Sequence, residues 1–211
     1  MKNDKMLPGE IEEKSFSIIT QELGNRKFSP DHEPIIKRTI HATADFDYAD
    51  NLYFSQDAVE EAHKAIVKGT TIITDTQMIR AGINKKAAAK FGCQVLCYMD
   101  DEQVEREAKK NGSTRAVAAV NKAALQCCDG IFVVGNAPTA LLRICELVRE
   151  KALRPQMVIG VPVGFVNVVE SKESLVESGL LCIAAKERKG GSTVAVAIVN
   201  ALLYGATKEA N

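Results

Sequence analysis

GIFVVGNAPTALLRI, residues 130–144, sets four consecutive apolar residues before a Gly-Asn turn and a helical pattern entered through Pro138. A strand that is apolar at every position has no solvent face, so it belongs inside a sheet covered on both sides. Gly135 suits the turn, and proline is at home in the first helical position because its missing N–H has no partner there anyway. The same succession recurs along the chain. TIIT (71–74), CQVLCYM (93–99), MVIGVPV (157–163) and GLLCIAA (179–185) read as further strands. Helical segments are read at 113–127, 137–151 and 166–177, and a last helix runs from Ser192 to about Tyr204. This alternation predicts an α/β fold: a mostly parallel five-stranded sheet with helices on both faces.

Upstream, residues 1–68 read as helical. One helix opens at Pro8-Gly9 and carries Ile11, Phe16, Ile18, Ile19 and Leu23; a second runs from Asp31 to about Thr43, with Pro34 in its first turn. A third follows Ser55, read as its cap, with Asp57 behind. The expected organisation is one domain over 1–211, a helical N-terminal part (1–68) joined to a sheet part (69–211).

At 211 residues, with 46% hydrophobic and 26% charged, the chain has the size and composition of a globular domain. Its 27 basic and 27 acidic residues cancel, so no overall field recruits nucleic acid or an anionic membrane, and neither is expected as a partner. The start, MKNDKMLPGEIEEKSF, has no apolar stretch behind its lysines, and no run approaches the roughly 20 apolar residues of a membrane span. The expected location is the cytoplasm. Six cysteines (Cys93, Cys97, Cys127, Cys128, Cys145, Cys182) form no CxxC pair, and they read as reduced, mostly core thiols with no metal site among them.

In an open parallel sheet the ligand lies beyond the carboxyl ends of the strands. The loops there supply the candidates: Asn136 and Thr139 in GNAPTALLRI, Gly164 and Phe165 in PVGFVNVV, and Gly190, Gly191 and Ser192 after Lys189. Backbone N–H groups at the helix entrance after Gly135 are read as free to receive an anion. Arg115 stands in the first turn of its helix, where a cation opposes the helix dipole, and so is read as facing an anionic ligand. No GxGxxG follows the first strand and no GxxxxGK[ST] occurs. The Asp100-Asp101 pair would hold a ribose only beside such a loop, which disfavours a nucleotide-dependent methyltransferase.

Arg38 and His41 are three apart and share a helix face beside the Ile36/Ile40 stripe. Asp45 or Asp47 is placed to fix the imidazole tautomer. The residues alone leave open whether His41 is structural or chemical, whereas His32 and His63 read as lying on solvated faces.

Five segments, IEEKSF, RTIHATAD, GNAPTALLRI, PVGFVNVVESKE and RKGGSTVAVAIVNAL, in this order, resemble the precorrin-8X methylmutase family, which includes the cobalt-precorrin-8 methylmutases. The resemblance implies an intramolecular methyl migration from carbon 11 to carbon 12 of a corrin-type tetrapyrrole in cobalamin biosynthesis. The product would be hydrogenobyrinic acid or its cobalt counterpart, cobyrinic acid. It also implies a homodimer with the site at the subunit interface. No cofactor is implied, any cobalt belonging to the substrate. His41 falls on the catalytic proton donor and acceptor, Ser15 and Arg38 on substrate contacts, and Arg115 does so by looser matching. One departure is Glu187, where the family pattern leads one to expect glycine. The competing reading is a non-catalytic tetrapyrrole carrier using the same pocket.

Overall fold

The computed structural model describes residues 7–209; the first six residues, on which the reading of the start partly rests, lie outside it. The chain opens with helix α1 (Pro8–Leu23), α2 (Glu33–Thr43) and the short α3 (Tyr48–Asn51). Strand β1 (Leu52–Phe54) and helix α4 (Ala58–Val67) complete the N-terminal part. Then follow β2 (Ile72–Thr74), α5 (Gln77–Gly82), α6 (Lys85–Lys90), β3 (Val95–Leu96), α7 (Glu102–Asn111) and α8 (Arg115–Gln126). The last third is β4 (Ile131–Val134), α9 (Pro138–Arg149), β5 (Met157–Gly160), α10 (Val168–Glu177), β6 (Cys182–Ala185) and α11 (Ser192–Glu209).

The strands form one sheet in the order β1-β6-β5-β4-β2-β3, parallel except for β1. Because successive side chains of a strand point to opposite faces, each apolar run feeds two cores. Ile131 and Val133 join the core beneath α2, α4 and α11, and Phe132 and Val134 join the one beneath α8, α9 and α10. Strand β6 divides likewise, Ile183 and Ala185 against Cys182 and Ala184. This two-sided burial is why these strands show no polar alternation.

The sheet has six strands, not five. The additional one, β1, lies in the segment read as wholly helical and pairs antiparallel with β6, Leu52 opposite Ala185. Ser55 extends this pairing and does not cap α4: its N–H donates to Cys182 O (3.0 Å) and its Oγ accepts from Cys182 N (2.8 Å). The N-cap of α4 is Asp57, in the left-handed conformation (φ 58°) and without a side-chain cap bond. Nor is His63 solvated. It is buried on α4 against Gly205, where a Cβ would stand 2.6 Å from its Nε2. His32 stacks on Phe54 at 4.0 Å, and burial holds its pKa below the usual value. Cys93, Cys145 and Cys182 are buried, Cys97 and Cys127 half-buried and Cys128 exposed. Among the described residues no helix is long and apolar enough to cross a membrane.

Candidate active site

Ile35, Ile36, Thr39 and Ile40 bury one side of α2, which turns Arg38 and His41 toward α1. Ala44 ends the helix in the left-handed conformation, its N–H returning to Ile40 O at 2.7 Å. From α1, Ser15 Oγ lies 2.9 Å from His41 Nδ1, and the Phe16 ring stacks on the imidazole with centroids 5.2 Å apart and planes at 13°. The tautomer is therefore coupled to Ser15, not to Asp45 or Asp47. With Nδ1 engaged, Nε2 is the nitrogen left to exchange a proton with a ligand.

Arg38 is held by three groups. Its guanidinium lies 5.2 Å from the Phe16 ring and 4.7 Å from that of Tyr204, and Nη2 donates to Glu12 Oε1 at 2.9 Å. Tyr204 is fixed in turn by Asn84 Nδ2, which donates to its hydroxyl at 3.0 Å. A groove of about 310 Å³ opens here between Phe16, Lys37, Arg38, Ala201, Tyr204 and Gly205.

Asp45 and Asp47 have another task. Lys189 Nζ donates to both, at 2.7 and 2.6 Å, tying the end of the His41 helix to the loop after β6. The Lys189 hydrogen bond holds the Asp45 carboxyl below its ordinary value of 3.8. A depressed carboxylate pKa contributes stability above the unfolded value that is lost as pH falls through the folded one. The Tm advantage of wild type over Lys189→Met is therefore expected near about pH 6 and should shrink toward about pH 3; it is modest, because the pair is one-third exposed.

That loop is tightly built. Gly190 (φ 154°) touches the strand-end backbone so closely that a Cβ would stand 2.2 Å from Val161 O. Gly191 N donates to Val161 O at 2.8 Å, and Gly164 N to Arg188 O at 3.3 Å. Arg188 covers the exposed Phe165 ring at 5.3 Å. Ser192 Oγ meets Thr76 Oγ1 at 3.1 Å, and Gly135 leaves no space for a side chain against the Ser192 Cα. Glu187 stands here at φ 54°, a conformation that is costly for any residue with a Cβ and accounts for the expectation of glycine. Glu187→Gly is expected to relieve roughly 1 kcal/mol of backbone strain and raise Tm by about 2–4 °C, read by thermal melting.

The N–H groups entering α9 are not free. Asp75, following β2 and only 7% exposed, accepts from Gly135 N (2.9 Å), Asn136 N (2.9 Å) and Ala137 N (2.7 Å). Burial pushes its carboxyl up, against these bonds, which favour the ionised form. An internal carboxylate thus fills the anion seat, which leaves the side chains of Asn136 and Thr139 to act there. Thr139 Oγ1 lies 3.2 Å from Thr114 Oγ1, the cap of α8, which brings Arg115 beside α9. Arg115 is exposed. Asp101, read as a conceivable ribose ligand, caps α7 and takes Lys122 at 2.6 Å.

The candidates thus form three groups: Ser15, Arg38 and His41; the loops carrying Gly164, Phe165, Gly190, Gly191 and Ser192; and Arg115 with Asn136 and Thr139. Lys189 joins the first to the second, and the Gly135–Ser192 contact joins the second to the third.

The model of the precorrin-8X methylmutase family matches residues 10–205. The chain belongs to this family. A cobalt-precorrin-8 methylmutase from Salmonella typhimurium is 49% identical, over 93% of this chain and 95% of that one. A precorrin-8X methylmutase from Sinorhizobium sp. is 33% identical, over 91% and 92%. The crystal structure of precorrin-8X methylmutase from Thermus thermophilus superposes with a TM-score of 0.87 at 44% identity, covering 94% of this chain and 98% of that one. Family membership carries the isomerase class and the role in cobalamin biosynthesis. Within this methylmutase frame, Phe16, Tyr204 and Asp75 were missed as parts of the site. Phe16 alone left a signal, one residue beyond Ser15 in IEEKSF.

Proposed function

We propose that this protein catalyses the migration of a methyl group from carbon 11 to carbon 12 of a precorrin-8-type macrocycle, with His41 as the acid. The observation that carries the reading is the Ser15–His41 contact at 2.9 Å, which engages Nδ1 of an exposed histidine stacked on Phe16, a ring that also borders the groove beside Arg38. Protonating the conjugated ring makes it electron-poor and lowers the barrier to a 1,5-sigmatropic shift. A histidine gives and recovers a proton near neutrality, as such a step requires. Arg38, Arg115 and the polar rim, Asn136, Thr139 and Ser192, meet the carboxylates of the substrate, while Phe165 and the glycines meet its flat face. No cofactor takes part, since the methyl never leaves the substrate.

The greater identity to the Salmonella protein than to the Sinorhizobium one favours the cobalt-containing substrate. A homodimer belongs to the same reading: Ile11 and Ile18 are exposed on α1, the helix that touches His41, as are Leu7 at its cap and Phe165 and Val166 in the loop after β5. Sedimentation at micromolar concentration tests it. The site reading is tested by binding the coloured product, cobyrinic or hydrogenobyrinic acid. A red shift of the bound corrin on wild type that disappears on His41→Ala is expected; no binding to either protein would overturn it. The carrier reading would instead give binding without turnover.

A further inference from the structure

Lys172 on α10 takes no part in the chemistry above, yet it is only 3% exposed. Burying an ammonium group is costly unless it is paired, and among the described residues no carboxylate forms an ion pair with it. Its Nζ instead donates to two backbone carbonyls of a single loop, Glu187 O at 2.9 Å and Lys189 O at 2.7 Å. Burial pushes its pKa down to about 8. A methionine would fill the same space without that cost, so packing alone does not explain a cation here.

The loop it holds is the one that most needs holding. Between β6 and α11, Glu187 has a positive φ that is costly for a residue with a Cβ and persists only where its surroundings fix it. Gly190 and Gly191 have positive φ that glycine adopts freely, so they do not hold the loop by themselves. Glu187 in the left-handed conformation turns its carbonyl to Lys172. Two residues on, Lys189 sends its carbonyl to Lys172 and its ammonium to Asp45 and Asp47 at the end of the His41 helix. Tyr48, buried beside this loop, has the Lys189 ammonium 6.0 Å from its ring centre. Lys172 and Lys189 therefore grip the loop from opposite sides, one from within α10 and one toward α2.

We propose that Lys172 is a positioning residue whose buried ammonium sets the Glu187–Gly191 loop in its substrate-binding conformation. Its part in catalysis rests on the function proposed above; its grip on the loop does not. The loop contains three trypsin sites, Lys186, Arg188 and Lys189, which provide a readout independent of turnover. In folded Lys172→Met, cleavage within 186–189 is expected to be at least about tenfold faster than in wild type, since two charge-assisted hydrogen bonds no longer oppose opening. Cleavage elsewhere should be unchanged, which separates loop release from general unfolding. With the macrocyclic substrate, KM should rise about tenfold while kcat stays within about threefold, because ground-state and transition-state binding weaken together. Unaltered loop cleavage in Lys172→Met would overturn the proposal, as would a loss confined to kcat. Faster loop cleavage in a protein that neither binds nor converts corrinoids would keep the clamp and remove the assigned function. Lys189→Met cuts the arm toward α2 and removes one of the three sites, so its readout is cleavage after Lys186 and Arg188 alone, which should be intermediate between wild type and Lys172→Met; a rate at those two bonds equal to wild type would contradict the two-sided grip.

Discussion

Replacing His41 with alanine is expected to lower kcat by about 10²–10⁴-fold, the range that a positioned general acid supplies, while product affinity stays within about threefold. Binding should survive because His41 is exposed at the end of α2 and Arg38 keeps its contacts with Glu12, Phe16 and Tyr204 without the imidazole. Folding should survive too, since the buried face of α2 is carried by Ile35, Ile36, Thr39 and Ile40. The loss belongs to the proton transfer. Ser15→Ala should cost less, about tenfold, because it removes the hydrogen bond that orients Nδ1 but leaves the Phe16 stack in place. Single-turnover kinetics separates the two effects: a His41→Ala protein that converts substrate at the wild-type rate is incompatible with His41 as the acid.

The second large effect is on stability. Asp75→Ala strips three backbone N–H groups of their acceptor at a helix entrance where Gly135 is buried and Ala137 half-buried. Each such loss costs about 1–3 kcal/mol, and removing the carboxylate returns part of its own burial cost. The net loss is expected on the order of 3 kcal/mol, a fall in Tm of about 10 °C by calorimetry. Asp75→Asn should not restore the wild-type Tm, because its amide NH₂ must face a backbone N–H where a second oxygen stood. Because Gly135 abuts Ser192, the same change should also disturb the loop that joins two of the three site groups.

The parallel strands were legible because they are buried on both faces: in residues 131–134, 157–160 and 182–185 every position is buried. Strand β1 was not, since Leu52–Phe54 is too short to show a period and owes its existence to pairing with β6, which lies nearly two-thirds of the chain further on. Helix α7 was missed for a related reason; only Val104 and Ala108 of its ten residues are buried, too few to mark a stripe. At the site, RTIHATAD marked out Arg38 and His41, but the partners of His41 lie on α1, those of Arg38 on α1 and α11, and that of Asp45 and Asp47 on the loop after β6. No local pattern reveals that Asp75 seats itself in the anion site of α9. The expected glycine at 187 was a true signal: the backbone there has the φ that glycine prefers, although the residue is glutamate.

The most direct test is anaerobic incubation of the purified protein with precorrin-8X or cobalt-precorrin-8 and no methyl donor, following the visible spectrum and the mass of the product. The proposed activity predicts a changed chromophore at unchanged mass, as hydrogenobyrinic or cobyrinic acid forms by rearrangement alone. An unchanged spectrum with both substrates, or conversion only after a methyl donor is added, would contradict it.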